Sequence, residues 1–397
     1  MNDFLKQEKQ WGYILAFFLF LVFSNTYALI RFYFEGNLYA DYNGYIPNED
    51  NNNILLYLAI VLSFLIFLFI YKWSTRIETG YVATPIDSKY MGVFILVYQV
   101  LFLMFNIVEG VNQAGIRGET SNPLAYLFNL VRPDILFLLY FASYNKSKLL
   151  YCNVLVYLIS MLSRGWLGVI SDLIIIAIIR RDVPIKNILL SKWSIYCLVI
   201  ILLLPILIQF RTIYRLDGIE GLSFHAINAS QINLFQGFDS LLARYQQLFS
   251  LIYFTDNLKM FQNLYDAGNI QPVYFQGLIP NFIYQNFITK VNSDTLGFLL
   301  ADTSRELLFG RITAFTTGTI PYFMIGIDWP ISLAYMIFCI VFCGFLTRSF
   351  GPYSPLYFIT FFYLSKYLMA GWFNILFSFL VTLTFFTVIH FVKITRN

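Results

Sequence analysis

The sequence predicts an all-α integral membrane protein of about ten transmembrane helices with one large outward-facing loop. Three observations carry this. Charged residues fill only 12% of the 397 positions and hydrophobic ones 58%, whereas a soluble domain carries about 25% charge. The apolar residues gather in runs close to the ~20 residues that cross a hydrocarbon core. Between Arg211 and Gly318 those runs stop for roughly a hundred residues, after seven of them and before three more.

The elements follow in chain order. Trp11–Phe34 is too long for a signal-peptide core and has no small-residue cleavage site, so it reads as a retained span. Ile54–Tyr71, Tyr90–Val108 and Leu124–Tyr144 are the next three. The fourth carries Arg132 and Asp134 around Pro133, either an ion pair at a kink or part of a polar cavity. Leu149–Ser163 and Trp166–Ile179 pose a choice. As one helix they would run about 46 Å at 1.5 Å per residue, beyond the hydrocarbon core. A hairpin turning at Arg164-Gly165 instead keeps Lys146/Lys148 and Arg180/Arg181 on one side. Each arm is then about 22 Å long. The turn therefore falls below the outer surface, where protein or water must satisfy its backbone. Ser194–Phe210 leads into the loop. Trp329–Leu346, with Asp328 as its N-cap, Tyr353–Met369 and Trp372–Val392 complete a single membrane domain over 1–397, with the loop 211–318 inserted.

Charge sets the orientation. Of 26 basic residues, 14 fall in the segments assigned to the cytoplasm: Lys6, Lys9, Lys72, Arg76, Lys89, Lys146, Lys148, Arg180, Arg181, Lys186, Lys192, Arg348, Lys393 and Arg396. Only five of the 22 acids join them. Lysine and arginine near span ends mark the inner side, so both termini are expected inside and the long loop outside. All four cysteines (Cys152, Cys197, Cys339, Cys343) lie in spans, which leaves no disulfide framework or zinc spacing. Two histidines, His225 and His390, exclude a histidine-rich metal site.

Within the loop, Leu234–Phe254 reads as an amphipathic helix lying on the membrane surface or against the bundle, with Arg244 at the edge of its apolar stripe. Thr313–Ile327, broken by Gly318, Pro321 and Gly326, reads as a short dipping segment.

The loop and its borders hold the residues that suggest chemistry. Arg211 and Arg215 are four apart at the outer end of the seventh span, so a continued helix sets both on one face. Two guanidiniums there match phosphate oxygens; snorkelling to the interface is the plainer account. Arg164 at the hairpin tip is either a turn residue or, at its depth, functional. Lys366 lies near an outer helix end and is expected to snorkel. Arg305 precedes the dipping segment, as does Arg311. For proton transfer the candidates are Glu306, Asp302, His225 and Asp239. Asp302 and Glu306 are four apart beside Arg305, and each also reads simply as a solvated loop residue. No nucleotide-binding glycine loop, Asp-x-Asp motif or serine–histidine arrangement appears.

In layout, with cytoplasmic termini and one dominant outer loop in the second half, the chain resembles the bacterial O-antigen polymerases. The most family-like stretches are Ser163-Arg164-Gly165-Trp166-Leu167 and Gln209-Phe210-Arg211. The family's paired arginine-to-glycine spacing does not fit any loop arginine here, and the histidine loop motif of the related O-antigen ligases is not evident. The resemblance implies a GT-C-like, metal-independent glycosyltransferase of lipopolysaccharide synthesis in the bacterial inner membrane, with no cofactor. It would move a growing glycan from undecaprenyl diphosphate to a lipid-linked repeat unit, with a chain-length-determining co-polymerase as a further partner and no nucleic acid. Arg164, Arg211, Arg215, Arg244 and Arg305 would then bind the diphosphate. A lipid-linked oligosaccharide flippase and an O-antigen ligase are the alternatives. Against the flippase stand the long loop and the missing internal repeat; Arg132, Asp134 and Lys366 speak for it.

Overall fold

Backbone polar groups cannot be left unpaired in hydrocarbon, so a chain this apolar must close its hydrogen bonds inside helices. A computed structural model describes residues 2–36, 38, 45–48, 52–75, 88–112, 122–143, 148–166, 168–180, 242, 245–289, 293–304, 318–350 and 354–391. Among them every regular element is helical, and the one β-bridge, Ile270 with Asp294, stands isolated.

The helices are α1 (Asn2–Glu35), α2 (Asn53–Thr75), α3 (Ser88–Glu109), α4 (Leu124–Leu130), α5 (Pro133–Ser143), α6 (Lys148–Ser163) and α7 (Gly168–Arg180). After the long loop begins come α8 (Leu248–Asp256), α9 (Leu258–Asp266), α10 (Leu278–Ile283) and α11 (Leu296–Ser304). A π-helical turn, Tyr284–Thr289, extends α10. The chain closes with α12 (Pro321–Ile325), α13 (Trp329–Arg348), α14 (Pro355–Ala370) and α15 (Phe373–Phe391).

Among the described residues, six stretches are long and apolar enough to cross a membrane: Trp11–Glu35, Asn53–Thr75, Lys89–Glu109, Leu124–Ser143 (α4 and α5 together), Trp329–Arg348 and Phe373–His390. This is a multi-pass membrane protein. Helices α6 and α14, 16 residues each, and α7, 13 residues, are shorter than a span. The run Ser194–Phe210 lies outside the described residues.

Side-chain contacts fix the direction of each helix. Lys72 Nζ stands 4.9 Å from the centre of the Trp11 ring, and the Tyr71 hydroxyl donates to the Tyr357 carbonyl at 2.8 Å. Phe350 packs on His390 with ring centres 4.8 Å apart. The start of α1 and of α14 therefore meets the ends of α2, α13 and α15. This end of the bundle carries Lys72, Arg180 and Arg348; we call it the basic end. The opposite end carries Glu35, Glu109, Asp256 and Asp328 and is the loop end.

The turn expected at Arg164-Gly165 is present. Gly165 adopts φ 76°, the left-handed conformation that glycine tolerates best. Its N–H bonds the Leu162 carbonyl and the Trp166 N–H bonds the Met161 carbonyl, which closes α6 with a Schellman motif. Arg164 meets Asp134 at the start of α5, while Arg180 lies over Phe141 near the end of α5, 4.5 Å from the ring centre. Helix α7 therefore runs back along α5, and the helix ends at Lys148 and Arg180 share the basic end.

The long loop differs from its expectation. A single amphipathic helix over Leu234–Phe254 is interrupted: Tyr245 is a turn, Gln246 and Gln247 are non-helical, and α8 starts only at Leu248. Nor does α8 present a wet face. Every residue from Leu248 to Phe254 is buried, Ser250 included. The Tyr245 ring packs on Phe20 and Phe17 in the interior of α1, and the far end of α8 is tied to the α1–α2 loop by Tyr45 and Asn48, which donate to Asp256. The segment thus sits inside the bundle and rises to the loop end. Its helix start, buried where water cannot reach, is capped by Asn25 Oδ1, which accepts from the N–H groups of Gln247 and Leu248 at 2.9 and 3.2 Å.

One further expectation is corrected. Asp328 occupies the N-cap position of α13, yet its side chain makes no cap bond. Instead the carboxylate accepts the hydroxyls of Tyr265 (2.6 Å) and Tyr274 (2.7 Å), which binds the loop to the start of a span. The dipping segment is described from Gly318 onwards and contains the single helical turn α12.

Candidate functional site

Helices α5, α6, α7 and α14 are short, and their loop-end termini meet at one level inside the bundle. That level is charged. Arg164 is 4% exposed; its Nη2 lies 2.8 Å from Asp134 Oδ1, its Nε donates to the Ser160 carbonyl at 2.9 Å, and the guanidinium covers the Phe102 ring at 4.9 Å. One helix over, Asp172 Oδ2 accepts the Tyr363 hydroxyl at 2.9 Å and stands 3.8 Å from Lys366 Nζ. Arg132 occupies the break between α4 and α5. Its N–H donates to Thr382 on α15 at 3.0 Å, and its charge acts on the Tyr367 hydroxyl together with those of Lys366, Asp172 and Asp134.

The two ion pairs are not independent. Between them lies Tyr157, 1% exposed, whose hydroxyl feels Asp172, Asp134 and Arg164 together. That hydroxyl has no hydrogen-bond partner among the described residues, and neither does the Ser160 hydroxyl beside Arg164. A buried hydroxyl left unpaired costs about 1–3 kcal/mol.

Among the described residues, the layer gathers the three cations Arg132, Arg164 and Lys366 and the two carboxylates Asp134 and Asp172. Among the described residues Arg132 has no carboxylate within ion-pair distance. Ionisable groups at membrane depth are costly and as a rule functional. Fixed guanidinium and ammonium groups at such a level can stabilise negative charge.

This arrangement corrects the pairing read from the sequence. Asp134 bonds Arg164 rather than its neighbour Arg132, because Pro133 starts α5 and the chain at Val131 is extended, which turns the two side chains apart. Lys366, its side chain 27% exposed, passes over Phe362 and Tyr363 and comes within 3.8 Å of Asp172. Asp172 was missed altogether. Its signal was present: an aspartate four residues into an otherwise apolar helix, Gly168–Arg180.

Of the site residues expected from sequence, Arg164 is thus brought into a charged layer. Arg211, Arg215, His225, Asp239, Arg244, Arg305, Glu306 and Arg311 lie outside the described residues. Asp302 stands in α11, with its side chain outside the description.

At the loop end a second polar set ties the loop down. Burial and then the Asp256 carboxylate push the Tyr45 hydroxyl up to about 12. Burial and the Asp328 carboxylate likewise raise Tyr265 and Tyr274 well above the ordinary phenol range. These are protonated donors holding carboxylates, which is structural work.

No family model matches this chain, and neither a curated protein nor a solved structure matches it.

Proposed function

We propose that this protein is a polysaccharide polymerase that transfers a growing glycan from undecaprenyl diphosphate to a lipid-linked repeat unit at the outer face of a bacterial inner membrane. The observation that carries the reading is the buried layer of Arg132, Arg164 and Lys366 against Asp134 and Asp172. Breaking a glycosyl–diphosphate bond puts negative charge on the leaving group, and fixed cations in a low-dielectric site stabilise it without metal. In this reading Arg164 and Arg132 hold the diphosphate, and Arg211 and Arg215 complete its coordination from the membrane exit of the loop. The basic end faces the cytoplasm with both termini, the full chain makes ten spans, and the architecture is GT-C-like.

A flippase of the same pathway is the second reading, favoured by one observation: both ion pairs stand between helices inside the bundle, as cavity charges of transporters do. The lipopolysaccharide ladder of a deletion strain complemented with Arg164→Ala, Arg211→Ala or Arg215→Ala separates the two. Loss of polymerisation leaves lipid A–core with a single repeat. A transport or ligation defect leaves bare core. Unchanged ladders from variants that still insert overturn the assignment of these arginines.

A further inference from the structure

We draw no further inference here: the strongest candidate, the buried Tyr157 hydroxyl between the Arg164–Asp134 and Lys366–Asp172 pairs, belongs to the charged layer already described.

Discussion

Arg164 and Asp134, thirty residues apart in sequence, meet at 2.8 Å inside the helix bundle. The pair joins the tip of the α6–α7 hairpin to the start of α5, and so defines the depth of the charged layer. A buried pair of this kind is weak evidence for stability, because desolvation cancels most of its attraction. Removing one partner is another matter.

Asp134→Ala is expected to destabilise the protein by about 3–5 kcal/mol, since it leaves the 4%-exposed Arg164 charged and alone. The paired apolar replacement Arg164→Met with Asp134→Leu is expected to recover most of that stability, yet to remain inactive. Thermal unfolding in detergent, followed by intrinsic fluorescence, measures the first effect and the ladder assay the second. An active double variant would show that the pair is scaffolding.

Asp172 and Tyr363 give a graded comparison. Tyr363→Phe removes one hydrogen bond and is expected to cost about 0.5–1.5 kcal/mol. Asp172→Ala leaves the buried Tyr363 hydroxyl without its acceptor and is expected to cost about 1–3 kcal/mol. Under the proposed function only Asp172→Ala also shortens the ladder, because it alone changes the charge of the layer. Equal ladders from both variants would remove Asp172 from the site.

Asn25→Leu tests the buried helix start. The carboxamide oxygen accepts two backbone N–H groups of the loop from the middle of α1. Its loss is expected to cost about 1–3 kcal/mol per unsatisfied donor, and to increase hydrogen exchange at Leu248–Asp256 before that of the neighbouring spans. Unchanged exchange there would mean that α8 is held by packing alone.

The loop tethers are expected to fail in alkali. The Tyr45 hydroxyl is raised from 10.0 to about 12 in the folded protein. The native state therefore keeps a proton that the unfolded chain gives up. This stabilisation is complete below about pH 10 and is lost as pH rises through about 12. Asp256→Asn removes the acceptor charge and is expected to shift one tyrosinate absorbance step to lower pH. A titration that matches wild type would show that Asp256 contributes nothing to the raised value.

Much of the fold was legible in sequence, and for a physical reason. Hydropathy is a local property, so the runs beginning at Trp11, Ile54, Tyr90, Leu124, Trp329 and Trp372 could be read directly as spans. The hairpin at Arg164-Gly165 was legible as well, because helix length against bilayer thickness leaves no other solution and glycine supplies the turn. The loop was harder. Leu234–Phe254 has the periodicity of an amphipathic helix, but periodicity does not tell lipid, water or protein apart. Gln246 and Gln247 fall off the apolar stripe, yet both are buried near the Asn25 cap.

The sequence by itself determined that the chain carries membrane-spanning helices, where six of them run and which helix ends gather basic charge. These follow from transfer energies that each segment carries with it. Only the tertiary structure decided that Asp134 bonds Arg164 and not adjacent Arg132, and that Lys366 comes within 3.8 Å of Asp172. Partner choice among buried charges depends on which helix faces which, and on where Pro133 breaks the span. No local pattern records that.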